Sequence, residues 1–460
     1  MASRSAAPRR GRTRRSAEPA PGRLWRAGWV LPVAGAALRD GAVAVRDGCI
    51  ADVGAAETLA ARHPDLERED LGPRILMPGL VDAHCHLEWS LLDGLLAPDA
   101  FGPWLGRMLR LRMRMTAEDH VTAARFGALR ALTAGTTTVT DSGPTGAGAA
   151  ALAESGQRGL VHLEAFGREE GDAARAAADA VAEQVAALDP AIGARGRIGV
   201  SPHAPYTVGP AFWAALRAHP GLAGRPWATH LAESSEEEEV VSSGGGALGR
   251  VFAEGGFAPG RWDGPEGSGV VPRVAAADAL AAGLVAAHCV RLGRGDAATL
   301  AAAGVGVAHC PRSNAYLRCG RAPLEQLAAA GVAVGLGTDS PASGGDYDLR
   351  AEARACRDLH SGARELSPPE LLRLITLGAA EALGMDRDVG AITPGRRADL
   401  IAVSAPPGAG EAPEAWALDA RAAVDLVMVD GEVLLRDAVP LRVDAEPIHR
   451  AAAEARAHLC

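Results

Sequence analysis

The sequence predicts an α/β fold, a (β/α)8 TIM barrel with a small β-sandwich built from both chain ends. Three observations predict it. Eight short β-rich runs bounded by Gly, Pro, Asp or Ser end near His86, Ser142, Phe166, His203, His230, His288, Cys310 and Asp339. Ala/Leu/Arg/Glu-rich stretches of helical character lie between most of them, as at 149–155, 173–188 and 296–303, which is the alternation of a parallel barrel. At 460 residues the chain exceeds a usual single domain, so one barrel plus a smaller module is the natural division.

Taken in order, residues 1–26 read as a disordered arginine-rich tail or an extension from an upstream start codon. Eight arginines there stand against one acid, +7 within a chain of net −9, so the remainder carries −16. The tail's one aromatic is Trp25 at its very end, so its arginines are not regularly interleaved with aromatics, and the acidic body argues against nucleic acid as a partner. Residues 27–73 and 392–445 make up the expected sandwich. Gly41 to Gly54 reads as two strands joined by an Asp47-Gly48 turn, and the other end repeats this in Gly395 to Val403 and in Val424 to Leu435 around Asp430-Gly431. Residues 74–391 are the barrel. Within them 241–275 is rich in Gly and Pro and lengthens the connection after the fifth strand, as a lid or as a slack surface insertion. The acidic run Glu236 to Glu239 just before it suits the first turns of a helix, where carboxylates complement the dipole.

The run from Ile75 to His86 carries the chemistry. Side chains at i and i+2 of a strand share a face, so His84 and His86 at the end of one buried strand can grip a single cation together. His230, His288 and Asp339 each close an apolar run of their own, and candidate ligands at several strand ends are how such a barrel builds a site. Any one of them alone reads as a hydrogen-bonded core residue; the five in barrel order read as a shared metal site. The same alternation turns Cys85 away from that face, so Cys85, Cys289 and Cys310 are read as packing. The seven cysteines lack the spacing of a disulfide framework, which points to a reducing cytoplasm. With 48% hydrophobic and 22% charged residues the composition is that of a globular protein. No apolar run approaches the ~20 residues of a membrane helix, so no membrane partner is expected.

The pattern Met77 to His86, then His230-Leu-Ala-Glu233, then His288, then Gly337-Thr-Asp339-Ser340 resembles the amidohydrolase superfamily, and within it the mononuclear cytosine, guanine and S-adenosylhomocysteine deaminase group. The resemblance runs from about residue 27 to about 440. It implies that His84, His86, His230 and Asp339 hold one divalent ion per chain, Zn2+ first and Fe2+ second, that Glu233 moves protons, and that His288 polarises the metal-bound water. Lysine is absent from the chain, which excludes the carboxylated lysine that bridges two metals in dihydroorotase-like and urease-like relatives.

Zinc held by three imidazoles and a carboxylate can lower the pKa of water from 15.7 toward roughly 7. Glu233 lies three residues after His230; if a helix begins there it can protonate a ring nitrogen and help ammonia leave, or simply cap that helix. Asp339 can take the water's proton and His288 can stabilise developing charge.

The segments Ser201 to Thr207, Pro311 to Gly320 and His84 to Ser90 look most like the branch that includes aminodeoxyfutalosine deaminase of futalosine-dependent menaquinone synthesis. The resemblance implies a substrate role for His203, with Glu88 and Asn314 as further candidates, although the chain departs from the family around Glu88-Trp89. The expected partner is a small-molecule nucleoside, with a homodimer allowed. The expected reaction converts aminodeoxyfutalosine to futalosine and ammonia. The alternatives are S-adenosylhomocysteine, methylthioadenosine or guanine as substrate, another leaving group such as a triazine chloride or a cyclic amide, and, further off, metal binding without catalysis.

Overall fold

The computed structural model describes residues 22–404 and 412–460. Residues 1–21 of the expected tail lie outside them. The first strand, Arg23–Val30, begins inside the stretch read as tail, because strand alternation gives it a core on each face. Leu24 packs with Ala42, Ala44 and Leu59, whereas Trp25 packs with Val43, Leu400 and Met428.

Both chain ends join in one nine-stranded sheet. The N-terminal hairpin Leu38–Arg46 and Cys49–Ala55 turns at Asp47-Gly48, and the C-terminal strands Leu400–Val403, Val424–Val429 and Glu432–Arg436 close the other side. The sequence reads 75–86 as one run, but the structure divides it at Gly79. Ile75–Pro78 stays in the chain-end sheet, pairing parallel with Arg23–Val30 and antiparallel with Leu400–Val403. A Cβ on Gly79 would lie 2.1 Å from Thr137 Oγ1, so only glycine lets the chain pass from this sheet into the barrel.

The barrel strands are Leu80–Cys85 (β1), Thr136–Gly143 (β2), Arg158–Ala165 (β3), Gly196–Pro202 (β4), Trp227–Leu231 (β5), Leu284–His288 (β6), Gly306–His309 (β7) and Val334–Leu336 (β8), each pairing parallel with the next. The Cys85–Asp339 bridge brings the end of β8 back to β1, with Asp339 N donating to His84 O at 3.0 Å and His86 N to Asp339 O at 3.1 Å. Gly337 permits that approach, since a Cβ there would meet His84 O at 2.6 Å. The closure therefore seats Asp339 beside both histidines of β1.

The 241–275 segment is not slack. Helix Ser235–Ser243 starts at Ser234, whose hydroxyl accepts from Glu237 N at 3.1 Å, so the acidic run is its first turn. A second helix, Gly246–Glu254, follows. Trp262 is buried beyond it, and its indole N–H donates to Pro205 O at 2.8 Å and Val208 O at 3.1 Å, which pins the segment to the barrel. No helix among the described residues is long and apolar enough to cross a membrane.

Candidate active site at the carboxyl end of the barrel

The structure brings His84, His86, His230, His288 and Asp339 together at the carboxyl ends of β1, β5, β6 and β8. One ligand atom each of His84, His86 and His230 lie within 4.8 Å of one another, as do those of His84, His288 and Asp339. Backbone carbonyls orient two of the rings. His86 Nδ1 donates to Ser142 O and His230 Nδ1 to His203 O, both at 2.7 Å, which leaves each Nε2 with its lone pair facing inward. These two Nε2 atoms are 3.1 Å apart. Asp339 Oδ1 lies 3.4 Å from His86 Nε2 and 3.7 Å from His84 Nε2, and His84 Nε2 has no hydrogen-bond partner among the described residues. Buried lone pairs converging on one point with a carboxylate fit a divalent cation of the Zn2+ or Fe2+ type.

The strand ends are bent to aim these groups. Ala232, His288, Cys289 and Asp339 hold φ of 52°, 73°, 47° and 54°, left-handed values that cost non-glycine residues about 1–3 kcal/mol each. Asp339 is steadied by two hydroxyls, Ser313 and, at 3.1 Å, Ser343. Asn314 Nδ2 donates to His288 Nδ1 at 3.0 Å, so the His288 proton sits on Nε2, 3.7 Å from Glu233 Oε1. Glu233 precedes the helix at Ser235 instead of lying within it; its backbone N–H donates to Glu237 Oε2 at 2.6 Å.

Burial sets the protonation states. It pushes His86 down to about 4 and His288 to about 3, and takes His203 and His230 well below the usual range, so the imidazoles are neutral. The two carboxyls diverge. Burial and the nearby Asp339 charge push Glu233 well above the carboxylate range, whereas Asp339 is held well below it: burial would raise it, but the nearby His84 and the other surrounding histidines prevail. The two carboxyls are pushed in opposite directions, the division of labour that acid–base chemistry needs.

A cavity of about 1560 Å³ opens over the cluster, with His86, His230, Glu233, His288 and Asp339 at its floor and His203 in its wall. Two further predicted substrate contacts lie elsewhere. Glu88 is fully buried, and its carboxylate accepts from Thr145 N and Oγ1, Gly146 N and Ala147 N and lies 2.9 Å from His120 Nδ1. It stabilises the start of helix Gly148–Ser155 and is not part of the cavity lining. Asn314 reaches the site only through His288. The sequence reading missed Glu164 at the end of β3. This buried carboxyl lies 3.8 Å from His86 Nδ1, lines the cavity, and is pushed up to about 8 by burial. Its one signal in the sequence was an acid in an otherwise apolar strand, Leu160 to Ala165.

The sequence profile of the amidohydrolase family matches residues 75–434, and that of an imidazolonepropionase-like composite domain of bacteria matches 41–65. The 5-methylthioadenosine/S-adenosylhomocysteine deaminase of Symbiobacterium thermophilum is 32% identical over 428 residues, covering 89% of this chain and 92% of that protein. Among solved structures, an adenosine deaminase from Xanthomonas campestris with bound zinc superposes with a TM-score of 0.79 at 26% identity, over 96% of this chain and 99% of the other. The aminofutalosine deaminase of Helicobacter pylori shares the fold, with a TM-score of 0.76 at 21% identity over 90% of this chain and all of the other (100%).

Proposed function

The chain belongs to the amidohydrolase family, and from that premise we propose that it hydrolytically deaminates a 6-aminopurine nucleoside carrying an extended 5′ substituent. As an enzyme it is a hydrolase of carbon–nitrogen bonds in cyclic amidines. The observation that carries the proposal is the placing of two buried carboxyls, Glu233 and Asp339, whose proton affinities are pushed in opposite directions, beside convergent imidazoles in the lining of a cavity far larger than a purine. The first substrates to consider are 5′-thio-substituted adenosines, because the relative at 32% identity is named for them. Aminodeoxyfutalosine is the second, on the resemblance of the 201–207 and 311–320 segments and the shared fold.

In this reading His84, His86, His230 and Asp339 would hold one divalent ion, which when bound would supply a hydrolytic water acidic enough to react at neutral pH. Glu233 donates its proton to a ring nitrogen beside the amidine carbon, making that carbon more electrophilic, and takes up the hydroxyl proton of the adduct as the 6-oxo group forms, while the proton taken from the water by Asp339 leaves with the amine as ammonia. Asp339 accepts the proton of the attacking water. The neutral His288, with its proton on Nε2, donates a hydrogen bond to charge developing at the attacked carbon's oxygen. His203, in the wall, contacts the nucleoside. Ultraviolet spectra distinguish a 6-aminopurine from its 6-oxo product. A panel of 5′-methylthioadenosine, S-adenosylhomocysteine, aminodeoxyfutalosine, adenosine, guanine and cytosine therefore tests the proposal directly; efficient turnover of guanine or cytosine with no reaction of any adenosine would overturn it.

A further inference from the structure

Behind His288 lies a row of polar side chains that do not line the cavity: Asn314, His309, His360 and Arg321. Asn314 comes from the helix Pro311–Tyr316, His309 ends β7, and His360 ends the helix Leu349–His360. The two outer links are made. Asn314 Nδ2 donates to His288 Nδ1, and Arg321 Nη1 donates to His360 Nδ1, each at 3.0 Å. Between them His360 Nε2, both ring nitrogens of His309 and Asn314 Oδ1 are buried with no hydrogen-bond partner among the described residues. These loose ends lie together. The His309 and His360 rings meet edge to face with centroids 5.6 Å apart, and Asn314 stands close enough to His309 to raise its proton affinity.

The chemistry of the links gives the row a direction. A guanidinium donates and never accepts, so the His360 proton is on Nε2. Burial pushes His309 down to about 3 and lowers His360, so each ring is neutral, with one donor and one acceptor nitrogen. A His309 nitrogen that accepts from His360 leaves the other as a donor, and Asn314 Oδ1 is the acceptor beside it. With its oxygen so engaged, the Asn314 carboxamide can present only its nitrogen to His288. Freed of that partner, the amide can turn over, accept from His288 Nδ1 and leave Nε2 without the proton. A cation held here by His309, His360 and the neighbouring Cys356 would instead meet a protonated Nε2 and the Arg321 charge.

We propose that Arg321, His360 and His309 form a one-way chain of hydrogen bonds that, through Asn314, holds the His288 proton on Nε2, where the reaction needs it. They are positioning residues, and none of them touches the substrate. The inference rests on the deaminase reading for its effect on turnover and on the geometry alone for the tautomer. Small movements of the rings and the amide close the two middle links, and the burial of every unpaired atom among them favours the closure.

The test reads the His288 tautomer directly, from the ring-nitrogen NMR signals of metal-replete enzyme carrying isotope-labelled histidine. His288 is identified by the signals missing in His288→Gln, and turnover of 5′-methylthioadenosine is measured beside it. In the wild type the signals are those of an Nε2–H ring. Arg321→Met and His309→Leu shift them toward Nδ1–H and lower kcat by roughly 5–50-fold, while KM stays within about twofold. Arg321→Lys keeps a donor and stays near the wild type in both readouts. The Arg321 side chain is half-exposed, so Arg321→Met decides the matter even if His309→Leu does not fold. An Nδ1–H ring in the wild type, an unchanged tautomer in Arg321→Met, a wild-type kcat in a variant whose ring has shifted, or a second ion per chain that Cys356→Ala removes overturns the chain. The signals need no substrate, so failure of every adenine nucleoside to react overturns the deaminase reading while the tautomer is still read.

Discussion

The two ends of strand β3 carry buried charge in opposite ways. At its amino end Arg158 donates to Asp399 at 2.9 and 3.1 Å and to Asp430 at 2.7 Å, and Asp430 is met again by Arg195 at 3.0 Å. At its carboxyl end, polar groups from six barrel strands face one cavity, and Glu164 Oε1 and His84 Nε2 have no hydrogen-bond partner among the described residues. Left-handed backbone occurs at both ends, at Ala232, His288 and Asp339 on the carboxyl side and at Asp430, φ 49°, on the paired side. Buried charge that is paired holds two substructures together, here the barrel and the chain-end sheet. Buried polar atoms that are unpaired wait for an ion or a substrate.

The largest effect should come from removing what the carboxyl end waits for. Chelation of the metal-replete enzyme should abolish deamination, and one equivalent of Zn2+ per chain should restore it, followed by elemental analysis and turnover together. Two tightly held ions per chain would break the reading of a mononuclear site. Next, Glu233→Gln should lower kcat by roughly 10²–10⁴ while metal content stays at one and the melting temperature does not fall, because the amide keeps the shape and cannot pass the proton. Wild-type turnover in this variant would place the proton shuttle elsewhere.

The amino end should answer in the opposite currency. Arg158→Met leaves Asp399 buried without its partner and should destabilise the fold by about 3–5 kcal/mol in denaturant titrations, with kcat of the surviving folded enzyme little changed. A loss of kcat without a loss of stability would erase the contrast between the ends.

The smallest effect is a slope. Burial raises Glu237, beneath Glu233, to about 7 from an ordinary value near 4.5. The folded state therefore holds this proton more tightly than the unfolded state, so its contribution to stability is full below about 4.5 and is lost as pH rises through 7. Asp430 at the paired end is lowered: burial opposes the shift, but Arg158 and Arg195 prevail, so its contribution is present above the ordinary value of 3.8 and lost as pH falls through its folded value. Melting curves from pH 4.5 to 8 should flatten in Glu237→Gln; an unchanged slope would show that Glu237 does not titrate there.

The sequence by itself determined the parts whose information is local. Strand alternation placed His84 and His86 on one face, apolar runs closed by His230, His288 and Asp339 marked further strand ends, and the acidic run at 236–239 announced a helix start. The eight strands end within a few residues of where periodicity puts them. Contacts between distant segments were decided only in three dimensions, because no period encodes them. Glu88 reads like a site residue, yet it holds the turn at 145–147 instead. Glu164 becomes a cavity carboxyl only when β3 closes against its neighbours. The Gly-rich segment at 241–275 is pinned because Trp262 finds two carbonyls after β4, and Arg112 meets Trp89 and Phe166 only because one helix crosses the mouth of the barrel. Local periodicity says which way a side chain points, and the packing of distant elements decides what it meets there.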